Sequence, residues 1–313
     1  MRKTGMVYAN NIITHKQNSH LIAIEPDGSF SCQIPLIHPQ DVLVRILKIN
    51  KSVYLEPGET TFEFIDFSKY ATPRKFRKKQ EQKSLFMGGV AKINSDLLAM
   101  DSISYFDYYK IQKKILNMTG DTYKAYCLEI MNKENKVLEN FTQNNQVSKK
   151  ALQIKKMQIQ YNAYTNILSF NRYRNQAYCK KHKIPRNQRE IPLKEKIFKP
   201  TFYDFIKNNP NIKKPISVVS GNAYNRLINK LRFSKSIRRY SIEKKQHEVV
   251  VFDSITKKNK TINASVLKDL VTGKILNFKT FDDFQKFISD NFKNCYNLQD
   301  DFATEIMFAQ SKF

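Results

Sequence analysis

Apolar and polar residues alternate in short stretches along the first 67 residues of the chain. In one of them, Phe30, Cys32, Ile34 and Leu36 are each separated by a single less apolar or turn-forming residue. Every second side chain of a strand points to the same face, so this stretch has the pattern of a half-buried strand. A turn signature at 25–28 precedes it, and residues 21–24 precede the turn. The pattern therefore predicts a hairpin with one buried face.

The rest of this region predicts three more strands. They are placed at 42–49, at 52–55 and around Phe62 and Phe64, with a Pro-Gly turn before the last one. Short strands separated by turns of this kind favour antiparallel pairing. We therefore predict a small antiparallel β-sandwich domain over residues 1–67.

Residues 68–105 are predicted to be a basic linker that ends in a glycine-containing junction. A run of Lys and Arg residues occupies 74–83, and Gly88 and Gly89 follow it in a chain with only eight glycines. Adjacent glycines indicate a sharp turn or a close approach of another backbone, and a flexible hinge is the alternative. Gly88, Gly89 and Asn94 are the candidate structural junction residues.

The period of the pattern changes from two to about 3.6 near Asp107, which indicates helices. Thr119 and Ser148 have the character of N-caps, and each precedes a long apolar stripe at helical spacing. The Tyr and Met residues of these stripes could line a cofactor cleft, but this spacing is shown by any helix that faces a core. Core packing is the favoured interpretation.

The remaining chain predicts further helices and one hairpin. Helices are expected at 202–206, at 223–233 and from Phe281 to about Phe292, and a hairpin at 248–263. A last helical segment starts at Phe302 and has no stop signal, which favours a truncated chain. The predicted class is α+β, in which the β-sandwich precedes a mainly helical domain over residues 106–313.

The charge of the chain is the most unusual part of its composition. Lys and Arg number 54 against 28 Asp and Glu, a formal net charge of +26. Such a field attracts polyanions, although an AT-rich genome also enriches lysine. Several basic blocks contain aromatic residues, a pattern that suits phosphate contacts combined with base stacking but is also found on solvated surfaces. The candidate polyanion-binding residues are Arg172, Arg174, Lys180, Lys181, Arg238, Arg239 and Tyr240.

No residue pattern predicts a catalytic, cofactor-binding or metal-binding site. The four cysteines are far apart and form no C-x-x-C motif, and the five histidines lack metal-ligand spacing. Cys32 and Cys127 lie in apolar patterns and are expected to be buried structural thiols. No apolar run is long enough for a transmembrane helix, and no signal peptide is recognisable. A cytoplasmic protein, or a mature or truncated form of an exported protein, is therefore expected.

Six segments carry a family resemblance when they are taken in order. The segments are 53–67, 86–97, 118–141, 147–170, 202–208 and 215–233. Together they resemble the region upstream of the thioredoxin domain in bacterial TlpA-like, AhpC/TSA-type thiol–disulfide oxidoreductases of the cell envelope. The likeness covers residues 1 to about 233 and, more faintly, 293–313.

The resemblance implies an accessory region rather than an enzyme. Members of the family carry a signal peptide and end in a thioredoxin domain with a W-C-x-x-C motif, whereas this chain has no tryptophan. No redox residue can be carried over. The implied role is docking or substrate selection beside a thioredoxin-like domain or another envelope protein, in the periplasm or cell envelope. A basic nucleic-acid-binding protein is the alternative function.

Overall fold

The computed structural model forms two compact units. Unit 1 comprises residues 1–193, 210–230 and 300–313, and unit 2 comprises 194–209 and 231–299. The predicted boundaries at 67 and 105 do not coincide with this division, because both fall inside unit 1. The described residues are 3–47, 49–66, 84–185, 193–238, 240–253, 258–270, 272–278 and 280–311. Residues 68–83 of the predicted basic linker, including the run at 74–83, lie outside them.

The N-terminal part of unit 1 is a four-stranded antiparallel sheet. Its strands are β1 (Lys3–Asn10), β2 (Gln17–Ile24), β3 (Gln40–Ile46) and β4 (Ile49–Leu55), in the order β2-β1-β3-β4. Alternate residues of β3 and β4 are buried, as their sequence pattern predicts. One buried cluster, with Val7, Ile22, Val42 and Ile46 among its members, forms the core beneath this sheet.

The predicted hairpin between 21–24 and 30–36 is wrong in its pairing. The turn forms, with Gly28 at a φ of +89°, but β2 pairs with β1 and residues 30–36 are not part of a strand. Phe30, Cys32, Ile34 and Leu36 nevertheless pack against the sheet core. The period-two pattern thus indicates that alternate residues of an extended segment are buried. It does not indicate whether the segment is hydrogen-bonded to a neighbouring strand.

A second, two-stranded sheet completes this core. Its antiparallel strands are β5 (Thr61–Ile65) and β6 (Ser84–Gly88), and they contribute Ile65 and Phe86 to the cluster beneath the four-stranded sheet. The strand around Phe62 and Phe64 is confirmed, but both rings are exposed. The opposite face lies toward the core, where Ile65 is buried and Glu63 forms an ion pair with the buried Lys51 of β4.

Helices make up most of the remaining chain, which confirms the α+β class. Thr119 accepts a hydrogen bond from the backbone of Thr122 in a capping box, and Ser148 caps the next helix, as predicted. The helices are α1 (Ala91–Ala99), α2 (Tyr108–Gln112), α3 (Gly120–Asn144), α4 (Lys149–Leu168), α5 (Phe170–Lys181), α6 (Asp204–Lys207), α7 (Asn222–Arg232), α8 (Phe281–Tyr296) and α9 (Phe302–Ser311). Short 3-10 turns occupy Ile115–Asn117, Pro200–Tyr203, Pro210–Lys213 and Pro215–Ser220.

Unit 2 has a small aromatic core and a hairpin. Tyr203 and Tyr296 pack edge to face with ring centroids 5.1 Å apart, and the Tyr203 hydroxyl is hydrogen-bonded to Ser236. The predicted hairpin is present as β7 (Tyr240–Asp253) and β8 (Lys258–Asp269), and the short strand β9 (Ile275–Leu276) pairs with β8. Thr280 and Asp283 form a capping box at the start of α8, so Asp283 acts as a capping carboxylate.

Candidate functional site

The candidate site is a polar cavity of about 700 Å³ inside unit 1. Strands β3 and β4 form one wall, and helices α3, α4, α5 and α7 supply most of the others. A volume of this size is typical of a small-molecule site.

Basic side chains outnumber acidic ones around this cavity. The five cations in its wall are Lys51, Lys155, Arg172, Arg226 and Lys230, and the three acids are Asp41, Asp101 and Glu134. Lys51 is already paired with Glu63 behind the wall. Burial raises the pKa of Asp41 and of Glu134, which disfavours their charged forms. The cavity therefore suits an anionic ligand.

Two buried ionisable residues, Lys155 and Glu134, line the inner part of the cavity. Lys155 of α4 is only 8% exposed, and it forms no ion pair with any described residue. Burial lowers the pKa of its ammonium group, against the opposing effect of Asp101 and Glu134. Glu134 of α3 accepts a hydrogen bond from the backbone N–H of Tyr105 at 2.6 Å. The carboxylates of Asp101 and Glu134 therefore influence Lys155 from farther away than ion-pair distance.

Three cations meet where α4, α5 and α7 line the cavity, and we call Arg172, Arg226 and Lys230 the basic corner. Arg226 donates a hydrogen bond to Asn162 Oδ1 at 2.7 Å. Burial lowers the pKa of Lys230, and the positive charge of Arg172 lowers it further. In the described part of the chain, no carboxylate forms an ion pair with either of these two residues. The charge of Arg226 favours the ionised form of Asp41. Arg172 and Lys230 are therefore the two corner cations without a matching anion among the described residues.

Two buried polar atoms near this corner also lack partners. Thr165 Oγ1 and Asn229 Oδ1 are enclosed, and each has no hydrogen bond in the structure. Both residues line the cavity. A buried polar atom without a partner costs free energy, on the order of 1–3 kcal/mol. A ligand that supplied hydrogen bonds here would recover it.

Helix α7 is held in position by the N-terminal sheet. Asp41 Oδ1 of β3 accepts a hydrogen bond from the backbone N–H of Asn222 at 2.6 Å, so it caps the helix from a distant part of the chain. The residue before the helix, Gly221, has a φ of +56°, and a Cβ there would collide with the Asp41 carboxylate. The sheet thereby fixes Arg226 and Lys230 relative to the cavity.

The thiols have no sign of activation. Cys127 lines the cavity, but burial raises its pKa to about 12. Burial also raises the pKa of Cys32. A thiol that stays protonated is a poor nucleophile. Among the residues the structure describes, no three His, Cys, Asp or Glu side chains are grouped so that they could bind a metal ion.

The candidate junction residues lie together within unit 1. Gly88 ends β6 with a φ of +100°, and a Cβ on it would collide with the carbonyl oxygen of Thr60. Gly89 has no such backbone constraint, but Glu59 lies where its Cβ would be. Asn94 of α1 is buried and bonds to both the N–H and the C=O of Tyr54. These residues join a helix to the N-terminal sheets, not one unit to the other.

The predicted polyanion-binding residues are divided between the two units. Four of them lie on α5 of unit 1, namely Arg172, Arg174, Lys180 and Lys181. Only Arg172 lines the cavity, while Lys180 and Lys181 are exposed in the last turn of the helix.

In unit 2, Arg238 lies over the Phe233 ring at 4.5 Å, and Tyr240 begins β7. Arg239 is outside the described residues. The structure therefore does not bring the seven residues into one described group.

Most of the cavity residues were not predicted from the sequence. Glu134 had a detectable signal, because it occupies an apolar-stripe position of α3, between Cys127 and Leu138. Lys155 stands beside the apolar stripe of α4 in the same way. Arg226 and Lys230 had no signal, since four-residue spacing of basic residues is common on exposed helices.

Comparison with known proteins gives no relative. No protein-family model, no curated protein and no solved structure matches this chain. In the described part of the chain, no helix combines the length and apolarity needed to cross a bilayer.

Proposed function

We propose that this chain is a non-catalytic binding protein whose first unit holds an anionic ligand in its polar cavity. The observation that carries the proposal is the set of five cations around one cavity, four of which form no ion pair in the described structure. Lys155 is buried among these cations, and a protein interior keeps a charge outside an ion pair only at a cost, so the group favours a ligand of opposite charge.

The resemblance to TlpA-like proteins adds a context to this proposal. In that context the chain is an accessory region that selects a substrate for, or docks beside, a thioredoxin-like domain in the cell envelope. The resembling stretches, 1–233 and 293–313, include all of unit 1, which also contains the cavity. The part without resemblance, 234–292, belongs to unit 2. The ligand site and the family likeness thus point to the same unit.

A ligand screen tests the binding function. Thermal stability of the full chain is measured with sets of small anionic, neutral and cationic compounds at constant ionic strength, since a bound ligand stabilises the fold. We expect only anionic compounds to raise the melting temperature. Ser104→Trp, at an exposed position of the cavity wall, should abolish the shift by filling the entrance. If no compound class stabilises the protein, or if the Trp variant responds like the wild type, the proposal fails.

The absence of redox chemistry is tested separately. In an insulin-reduction assay the purified chain should show no turnover, because burial raises the pKa of Cys32 and of Cys127 and the sequence has no C-x-x-C pair. Turnover that disappears on Cys127→Ser or Cys32→Ser would contradict a non-catalytic role.

Nucleic-acid binding is the second candidate, and one observation favours it. Lys180 and Lys181 are exposed near the 72%-exposed Tyr109, whose ring lies 5.9 Å from the Lys180 ammonium group. An exposed ring beside cations can stack on a base while the cations contact phosphates. The salt-dependence experiment in the Discussion separates this function from the first.

A further inference from the structure

We infer that the basic corner is a phosphate subsite, and that the cavity takes a small hydroxylated phosphate monoester. This inference rests on the proposed function and narrows the ligand from any anion to one chemical class. The geometry of the basic corner, the unpartnered polar atoms near it and the enclosure of the cavity support this inference.

The positive charge of the basic corner favours a phosphate group. Arg172 and Lys230 lie near enough for the charge of one to affect the other, and neither forms an ion pair in the described chain. Arg226 and Lys230 are four residues apart on α7 and line the same cavity. Three converging cations match the two negative charges of a phosphate monoester better than the single charge of a carboxylate. Arginine is also the side chain best suited to bidentate contact with phosphate oxygens.

Two unpartnered polar atoms in the cavity wall favour a ligand with hydroxyl groups as well as a phosphate. The Thr165 hydroxyl is buried and can donate a hydrogen bond, and the Asn229 carbonyl oxygen can accept one. Asn229 is three residues after Arg226, and Thr165 is three residues after Asn162, the partner of Arg226. Both atoms therefore belong to the helix faces that form the corner. A phosphate oxygen satisfies the hydroxyl, and a ligand hydroxyl satisfies the carbonyl oxygen.

The depth of the cavity favours a small molecule over a nucleic acid. The cavity is enclosed by a sheet and several helices, and Lys155 and Thr165 in its wall are more than nine-tenths buried. A polynucleotide backbone could contact the exposed Arg172 and Arg226, but it would not reach the buried Lys155 and Thr165. The buried polar groups need a ligand that enters.

The experiment measures binding of glucose 6-phosphate, glucose, sulfate and inorganic phosphate to the full chain by calorimetry at fixed ionic strength. We expect glucose 6-phosphate to bind at least ten-fold more tightly than glucose. Its affinity should increase between about pH 5 and pH 7, as the monoester becomes a dianion with a second pKa of about 6. The affinity for sulfate, whose charge is constant there, should change less.

Matched variants locate the site. Arg172→Ala and Lys230→Ala should each weaken glucose 6-phosphate binding by about ten-fold or more, the effect of one lost charge-assisted hydrogen bond. Arg174→Ala and Lys180→Ala, on the same helix as Arg172 but outside the cavity wall, should change it less than two-fold. Circular dichroism shows whether each variant is folded. Arg172 is exposed, so its replacement should disturb the fold less than the replacement of Lys230.

Three results would overturn the inference. Equal weakening by Arg174→Ala would show a general effect of the net charge. Binding of a single-stranded oligonucleotide that Arg172→Ala weakens but Ser104→Trp does not affect would favour a nucleic-acid surface. Binding of carboxylates but not phosphates, blocked by Ser104→Trp, would leave the proposed function intact and remove only the phosphate subsite. If no anion binds at all, both proposals fail.

Discussion

Gly221 shows how a single residue can decide whether a helix is placed correctly. Its positive φ favours glycine, and the Asp41 carboxylate occupies the space that a side chain would need. The Asp41 carboxylate in turn accepts a hydrogen bond from the first backbone N–H of α7. Any side chain at position 221 therefore disturbs both the turn and the cap.

We predict that Gly221→Ala lowers the free energy of unfolding by about 2–4 kcal/mol, the sum of backbone strain and a disturbed helix cap. Gly28→Ala is the matched control, because Gly28 also has a positive φ but nothing lies within 4 Å of its Cβ position. It should cost only about 1 kcal/mol. Urea unfolding of both variants measures the difference. Equal costs would show that the contact with Asp41 contributes nothing.

Glu134 should make stability depend on pH. Burial raises its pKa above the ordinary value of 4.5. A carboxyl group with a raised pKa binds its proton more tightly in the folded chain, so it stabilises the fold below pH 4.5. That stabilisation is lost as the pH rises through the folded-state pKa. Lys155 is the neighbouring cation that opposes the shift.

Glu134→Gln keeps an oxygen that accepts the Tyr105 N–H but removes the titration. We predict that the free energy of unfolding of the wild type, relative to this variant, decreases as the pH rises from about 4 to about 8. Urea titrations at several pH values provide the measurement. A difference that stays constant with pH would show that the carboxyl group has the same pKa in the folded and unfolded chains.

At the scale of elements, α1 protects an edge of the N-terminal sheet. Strand β4 is the last strand of that sheet, and its outer edge would otherwise present unpaired backbone groups. The Asn94 amide accepts a hydrogen bond from the Tyr54 N–H at 2.7 Å and donates one to the Tyr54 C=O at 2.9 Å. It thereby imitates the backbone of a neighbouring strand.

Asn94→Ala should cost about 2–4 kcal/mol, because it leaves two backbone groups of a buried residue without partners. Ser95→Ala, at the next and exposed position of the helix, should change stability by less than about 0.5 kcal/mol. Thermal or denaturant unfolding compares them. A cost for Asn94→Ala as small as that of Ser95→Ala would indicate that water replaces the amide.

Local patterns predicted the elements of this fold better than their partners. The caps at Thr119 and Ser148 and the long helices after them were predictable because capping and helical spacing are local signals. The outward direction of Phe62 and Phe64 was not, because both faces of β5 carry apolar residues and the decisive contact is with Lys51. The basic corner was equally hidden, since it assembles residues from α5 and α7 that are more than 50 positions apart.

At the scale of the whole molecule, the charge of +26 is spread over the chain instead of being confined to the cavity. Binding to DNA or RNA driven by such a field releases counterions and therefore weakens steeply with salt.

We predict weak, sequence-independent binding of an oligonucleotide, with a dissociation constant of about 10⁻⁴–10⁻⁶ M near physiological salt. Replacing Arg238 and Arg239 together by Ala should weaken it no more than replacing the exposed pair Lys113 and Lys114. Fluorescence anisotropy at two salt concentrations tests this. Tight binding that survives high salt and is lost on Tyr240→Ala would promote the nucleic-acid function.

The cap of α7 finally has a consequence for the order in which the chain folds during synthesis. Asp41 precedes Asn222 by 181 residues, so the sheet emerges from the ribosome long before the helix. An eleven-residue helix that starts after a glycine is marginal by itself in water. We therefore expect the sheet to form first and α7 to become helical when it docks on Asp41. A peptide of residues 215–233 should show little helical circular dichroism in isolation.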